Sequence, residues 1–83
     1  MHFVYVLWDK DNKKFYIGYT ANLERRMSEH KEGQCHTTLR MQDIDLLFYE
    51  AFLSREDACR REDYFKTTKG KKVLRLMLRE SLK

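Results

Sequence analysis

The stretch that decides the fold is Phe3-Val4-Tyr5-Val6-Leu7-Trp8, then Asp9-Lys10-Asp11-Asn12-Lys13, then Phe15-Tyr16-Ile17-Gly18-Tyr19. The first run is rich in β-branched and aromatic residues and has no polar alternation, which predicts a strand largely buried on both faces. The polar run after it predicts a turn, and the second aromatic run predicts an antiparallel partner, so the whole reads as a β-hairpin. Gly18 punctuates the second strand. Tyr5 and Tyr16, on adjacent strands, come close enough for their rings to be neighbours on one face. By themselves two such phenols are ordinary core amphipaths with a wet hydroxyl.

Working outward, Thr20 or Asn22 offers a side-chain oxygen to cap a helix from Leu23 to about Lys31, ending near Gly33. Gln34 to Asp43 is polar and reads as irregular. Asp45-Leu46-Leu47-Phe48-Tyr49-Glu50-Ala51-Phe52 predicts a third strand. Ser54-x-x-Asp57 resembles a capping box and opens a helix to about Lys66. Gly70 is expected to interrupt, with a last helix from Lys71 to about Leu82 whose Val73, Leu74, Met77 and Leu78 recur at helical spacing. The expected fold is therefore α+β, a three-stranded antiparallel sheet flanked by helices in the order ββαβαα.

A chain of 83 residues supports one core, so residues 1–83 are expected to form a single domain. With 42% hydrophobic residues, including five Phe, five Tyr and one Trp, it is too apolar to be disordered. Seventeen Lys and Arg against thirteen Asp and Glu give a formal charge of +4, a modest case for a polyanionic partner. Cys35 and Cys59 form no CxxC pair, which suits reduced thiols in an intracellular protein. The N-terminus reads as a strand without a basic leader, and no apolar run nears the ~20 residues needed to span a bilayer. A cytoplasmic protein without membrane association is expected.

The informative positions are polar residues on faces that should be apolar. Arg26 and His30 border the Leu23/Met27 stripe of the first helix. A snorkelling arginine accounts for Arg26 alone; with His30 beside it, a cleft facing the sheet is an equal reading. On the next helix Ala58, Arg61, Glu62 and Phe65 share a face, and Glu62 sits between core-type residues. Burying a carboxylate is costly unless it is paired or binds a cation. Taken alone, Glu62 is more simply explained by an i,i+4 pair with Lys66. His30 with Cys35-His36 lacks a fourth partner and is a poor match to structural zinc.

Together these residues resemble the GIY-YIG endonuclease superfamily. The motif reads Phe3-Val4-Tyr5, ten residues, then Tyr16-Ile17-Gly18, followed by Thr20, Asn22-Leu23, Arg25-Arg26, His30 and Ala58-x-x-Arg61-Glu62. The resemblance runs from Phe3 to about Val73 and is nearest to small stand-alone members. It implies catalytic roles for Tyr5, Tyr16, Gly18, Arg26, His30 and Glu62, with Glu62 as ligand of one Mg²⁺ or Mn²⁺ ion. The implied reaction is metal-dependent hydrolysis of a phosphodiester in DNA, with RNA the alternative partner; the preference for DNA is inherited from the family and is not visible in these residues. Tyr5 would deprotonate water, Tyr16 would position water or phosphate, and Arg26 would clamp phosphate oxygens. His30 would polarise a tyrosine or hold the phosphate. Selectivity for nucleic-acid structure rather than sequence, and a setting in DNA repair or recombination, follow from the same resemblance.

Three departures qualify it: Phe3 replaces the first-motif glycine, Tyr19 stands where several relatives have lysine, and no late asparagine is evident among Thr67, Thr68 and Lys69. Lys14, Tyr19, Arg25, Lys69, Lys71 and Lys72 are the expected nucleic-acid contacts, with Tyr19 or Trp8 available for base stacking. The competing readings are a nucleic-acid-binding module of the same fold with weak or no catalysis, and a protein-interaction domain docking through its last helix, where Leu76 lies off the core stripe.

Overall fold

The computed structural model describes residues 1–31 and 44–83. The expected helix end near Gly33, the polar tract Gln34–Asp43 and the Cys35-His36 pair lie outside the described residues. Six elements follow the expected order: β1 His2–Asp9, β2 Lys14–Thr20, α1 Leu23–Lys31, β3 Ile44–Phe52, α2 Arg55–Lys66 and α3 Thr68–Met77. The strands form one antiparallel sheet in the order β2-β1-β3. The central place goes to the strand without polar alternation, since Val4, Tyr5, Val6 and Leu7 are all buried.

The two faces of β1 do different work. Val4 and Val6 join Phe15, Ile17, Ala58, Phe65, Leu74 and Leu78 in the main core beneath α2 and α3. Tyr5 and Leu7 point the other way; Tyr5 pairs with Gly18 and Leu7 with Tyr16 across β1–β2. The tyrosines thus share a face, as expected, but as diagonal neighbours rather than directly opposite. A register shift between Val6 and Leu7 lets Leu47 of β3 bulge out of the ladder.

The hairpin turn is held by Asp9, whose carboxylate accepts from the Asp11 amide (3.0 Å), the Asn12 amide (3.2 Å) and the Asn12 side chain (2.7 Å). These bonds, the Asn12 side chain foremost, hold Asp9 below its ordinary pKa. Lys13 closes the turn with φ 53°, a left-handed conformation unusual for a residue with a side chain.

Of the two candidate caps for α1, Asn22 is the one used: its Oδ1 accepts from the Arg25 amide at 3.1 Å. Ser54 caps α2 through the Asp57 amide, but the expected box is altered, because Asp57 turns to Arg60 while the Ser54 hydroxyl donates to Glu56 at 3.0 Å. The last helix departs most from expectation. It starts at Thr68, capped by Thr67 Oγ1, and ends at Met77, short of Leu82. Gly70 lies inside it and does not interrupt. It is buried because α3 passes so close to the carbonyl of Tyr64 that any Cβ would overlap that backbone. Leu74 and Leu78 carry the core stripe, whereas Met77 is 45% exposed. Among the described residues no helix is long and apolar enough to cross a membrane.

Candidate active site

The site begins where β1 meets β2. Tyr5 lies over its partner Gly18, and a Cβ there would overlap the Tyr5 hydroxyl and ring. The missing side chain lets the phenol extend across β2. There the hydroxyl meets α1. Arg26 Nε donates to Tyr5 Oη at 3.2 Å, and His30 Nε2 lies 3.1 Å from the same oxygen.

His30 is buried, and its pKa is pushed below the ordinary histidine value, first by that burial and then by the Arg26 cation, with Glu29 opposing. A neutral imidazole can accept a proton at Nε2. Arg26 can only donate, so the protonation pattern that satisfies this network has Tyr5 donating to His30 and accepting from Arg26. The guanidinium also faces Glu29, with Nη1 at 3.5 Å from its carboxylate.

A cleft of about 450 Å³ opens in front of the phenol and wraps the β2 edge toward α2. It brings together Tyr5, Tyr16, Gly18 and Arg26 from one side of the sheet with Glu62 from the other. Five of the six expected catalytic residues therefore line one space. His30 does not line it; it touches the site through Tyr5. Tyr19, Lys66 and Lys71 line it as well, so the lining holds three cationic residues, Arg26, Lys66 and Lys71, and one carboxylate, Glu62. Lys66 enters as a cleft residue that sequence reasoning assigned only as an ion-pair partner. The signal available was its place one helical turn beyond Glu62.

Glu62 keeps 18% of its side chain exposed and accepts from Lys66 Nζ at 3.0 Å. The ion pair expected between Glu62 and Lys66 is present, and the carboxylate also lines the cleft. Its neighbour Arg61 is structural, with Nε 2.9 Å from Glu50 Oε1 and its guanidinium 4.3 Å above the Phe65 ring. Among the described residues no three His, Cys, Asp or Glu side chains cluster. Glu62, the carboxylate on the cleft lining, is a hard oxygen donor that could anchor a cation otherwise held by water and substrate.

The expected nucleic-acid contacts divide. Tyr19 and Lys71 line the cleft, and Arg25 lines an adjoining depression with Tyr19, Arg26 and Glu29. Lys14, Lys69 and Lys72 are exposed but stand outside both. Tyr19 is half-buried, its hydroxyl 2.7 Å from His2 Nδ1 and its ring stacked on that imidazole. Trp8 is half-buried. It packs on Phe15, ring centroids 5.0 Å apart, against the main core. Leu76 is 69% exposed, off the core stripe as expected.

Comparison with known proteins bears on the family and the fold. The family model described as the GIY-YIG catalytic domain matches residues 1–75. A UPF0213 protein of Pediococcus acidilactici is 36% identical over 78 residues, covering 90% of this chain and 79% of that one. One from Staphylococcus haemolyticus is 35% identical, covering 92% and 93%. The solution NMR structure of a UPF0213 protein from Bacillus halodurans superposes with a TM-score of 0.58 at 33% identity, over 92% of this chain and 83% of the other. With a family match over nearly its whole length and relatives this similar, the chain belongs to the GIY-YIG family, whose catalytic domain is a nuclease fold.

Proposed function

We propose that this protein is a divalent-metal-dependent endonuclease that hydrolyses phosphodiester bonds in DNA, working as one domain and selecting substrates by structure rather than sequence. The observation that carries this reading is the convergence, in one basic cleft, of the hydrogen-bonded Tyr5 and Arg26 with the carboxylate of Glu62, His30 holding the Tyr5 hydroxyl from behind. Phosphodiester hydrolysis needs a base for water, donors for the phosphate oxygens and an anchor for a cation.

In this reading Tyr5 is the base. His30, held neutral, orients the phenol by accepting its hydrogen bond at Nε2, and Arg26 Nε donates to the same oxygen, which favours the phenolate formed when that proton is lost to solvent. The phenolate then takes a proton from the attacking water. Arg26 and Lys71 face the phosphate, and Tyr16 orients phosphate or water. Glu62 would hold Mg²⁺ or Mn²⁺, which when bound supplies charge stabilisation at the scissile phosphate and leaving oxygen. A cytoplasmic role in DNA repair or recombination suits an enzyme that reads backbone shape.

A second reading, a binding module without catalysis, is favoured by one observation: Glu62 is already neutralised by Lys66. A panel of single-stranded, branched and duplex DNA and RNA, incubated with and without magnesium or manganese, separates the two. Metal-dependent nicking is expected for the enzyme. Salt-sensitive binding unaffected by metal, with every substrate left intact, would leave the module.

A further inference from the structure

Lys66 is the charged residue of the cleft lining to which the mechanism above gives no part. Its Nζ lies 3.0 Å from Glu62 Oε2, and the two side chains differ in freedom: Glu62 is 18% exposed, Lys66 53%. The carboxylate is therefore fixed against the helix while the ammonium can swing into solvent on its flexible stem. Both residues line the cleft that also holds Arg26 and Lys71. The lining thus carries three cations to one anion before any ligand enters. A divalent ion arriving alone at Glu62 would have to displace Lys66 and would raise the positive charge further. A phosphodiester arriving first changes that balance, because it offers Lys66 an anion of its own and leaves Glu62 without a partner.

We propose that Lys66 is an exchangeable counter-ion that couples cation binding to substrate binding: it occupies Glu62 in the free protein and moves to a phosphate oxygen of the nucleic acid when the cation takes the carboxylate. This rests on the reading of Glu62 as the cation anchor. The ion pair is then a guard on the metal site as well as a helix-surface contact. Coupling of this kind is reciprocal, so nucleic acid and cation should each tighten the other's binding. Lys71 lines the cleft but makes no ion pair with Glu62 among the described contacts, so its role is confined to the polyanion.

The test is Mn²⁺ binding to the nucleic-acid-free protein, followed by loss of the free hexaaqua Mn²⁺ signal in electron paramagnetic resonance, for wild type, Lys66→Met, Lys66→Arg and Glu62→Gln. Removing a unit charge at contact distance from a divalent ion should tighten binding by about five-fold in Lys66→Met, after allowance for water and salt. Lys66→Arg should stay near wild type, which separates charge from mere helix propensity. In parallel, binding of a fluorescent single-stranded DNA without metal should lose about one phosphate contact from its salt dependence in Lys66→Met. Unchanged Mn²⁺ affinity in Lys66→Met, with binding abolished in Glu62→Gln, would overturn the counter-ion role while leaving the anchor reading intact. Unchanged affinity in Glu62→Gln would remove the anchor itself, and the counter-ion role with it.

Discussion

At the scale of single residues the site is decided by what position 18 lacks. Tyr5 can sit over β2 and reach Arg26 and His30 only because Gly18 has no Cβ. Gly18→Ala is therefore expected to cost about 1–3 kcal/mol, the usual range for forcing a carbon into a packed site. Urea unfolding checks this, and cleavage should fall beyond the loss of folded protein because the phenol is displaced. His30 supplies a second residue-scale expectation. Its folded pKa lies below the ordinary value near 6.5 of an unfolded chain. Above about pH 6.5 both states are neutral and the contribution is complete. As pH falls from there, the unfolded chain takes up a proton that the folded one resists, and stability declines until the folded pKa is reached. His30→Gln should flatten that part of the pH–stability curve; an unaltered slope between pH 7 and 5 would contradict the neutral assignment.

The residues most legible in the sequence were those whose type conflicted with their surroundings. Arg26 and Glu62 stand out on apolar faces by helical periodicity alone, and the structure puts both on one cleft. What periodicity could not give was the partner of each. The Tyr5–His30 bond joins residues 25 positions apart, and nothing local records it. Asp9 shows the opposite failure. As the first residue of a polar run it read as turn surface, yet it ends β1 and is fully covered by the backbone amides and Asn12 that it binds.

At the scale of elements the hairpin and the third strand were readable because their composition is decisive. The corner between α2 and α3 was misread, because a glycine in mid-sequence looks like an interruption whether it breaks a helix or lets one pass close to another. Here close passage is the reason, with Tyr64 C=O against Gly70 and Thr67 Oγ1 capping the Gly70 amide at 3.0 Å. Gly70→Ala should thus cost about 3 kcal/mol, the upper end of the overpacking range, since the obstacle is backbone. Thr67→Ala should cost about 1 kcal/mol through the lost cap. Urea midpoints at constant m-value check both. Near-equal losses would mean the corner tolerates a side chain after all.

At the scale of the whole molecule, the +4 charge matters less than where it is displayed. Arg26, Lys66 and Lys71 face the cleft, while Lys14, Lys69 and Lys72 stand outside it. If the cleft binds the backbone, Lys71→Met should reduce the salt slope of DNA binding by about one contact, and Lys14→Met should change it less. Fluorescence anisotropy across a salt series reads both.

The central claim is that this cleft cuts a phosphodiester by means of Glu62 and a divalent cation. Single-turnover cleavage of a branched DNA substrate by wild type and Glu62→Ala, with DNA affinity measured alongside, tests it most directly. The expected result is magnesium-dependent cutting by wild type, cutting abolished in the variant, and DNA affinity retained. Equal cutting by both proteins, or cutting by wild type without any divalent ion, would contradict it.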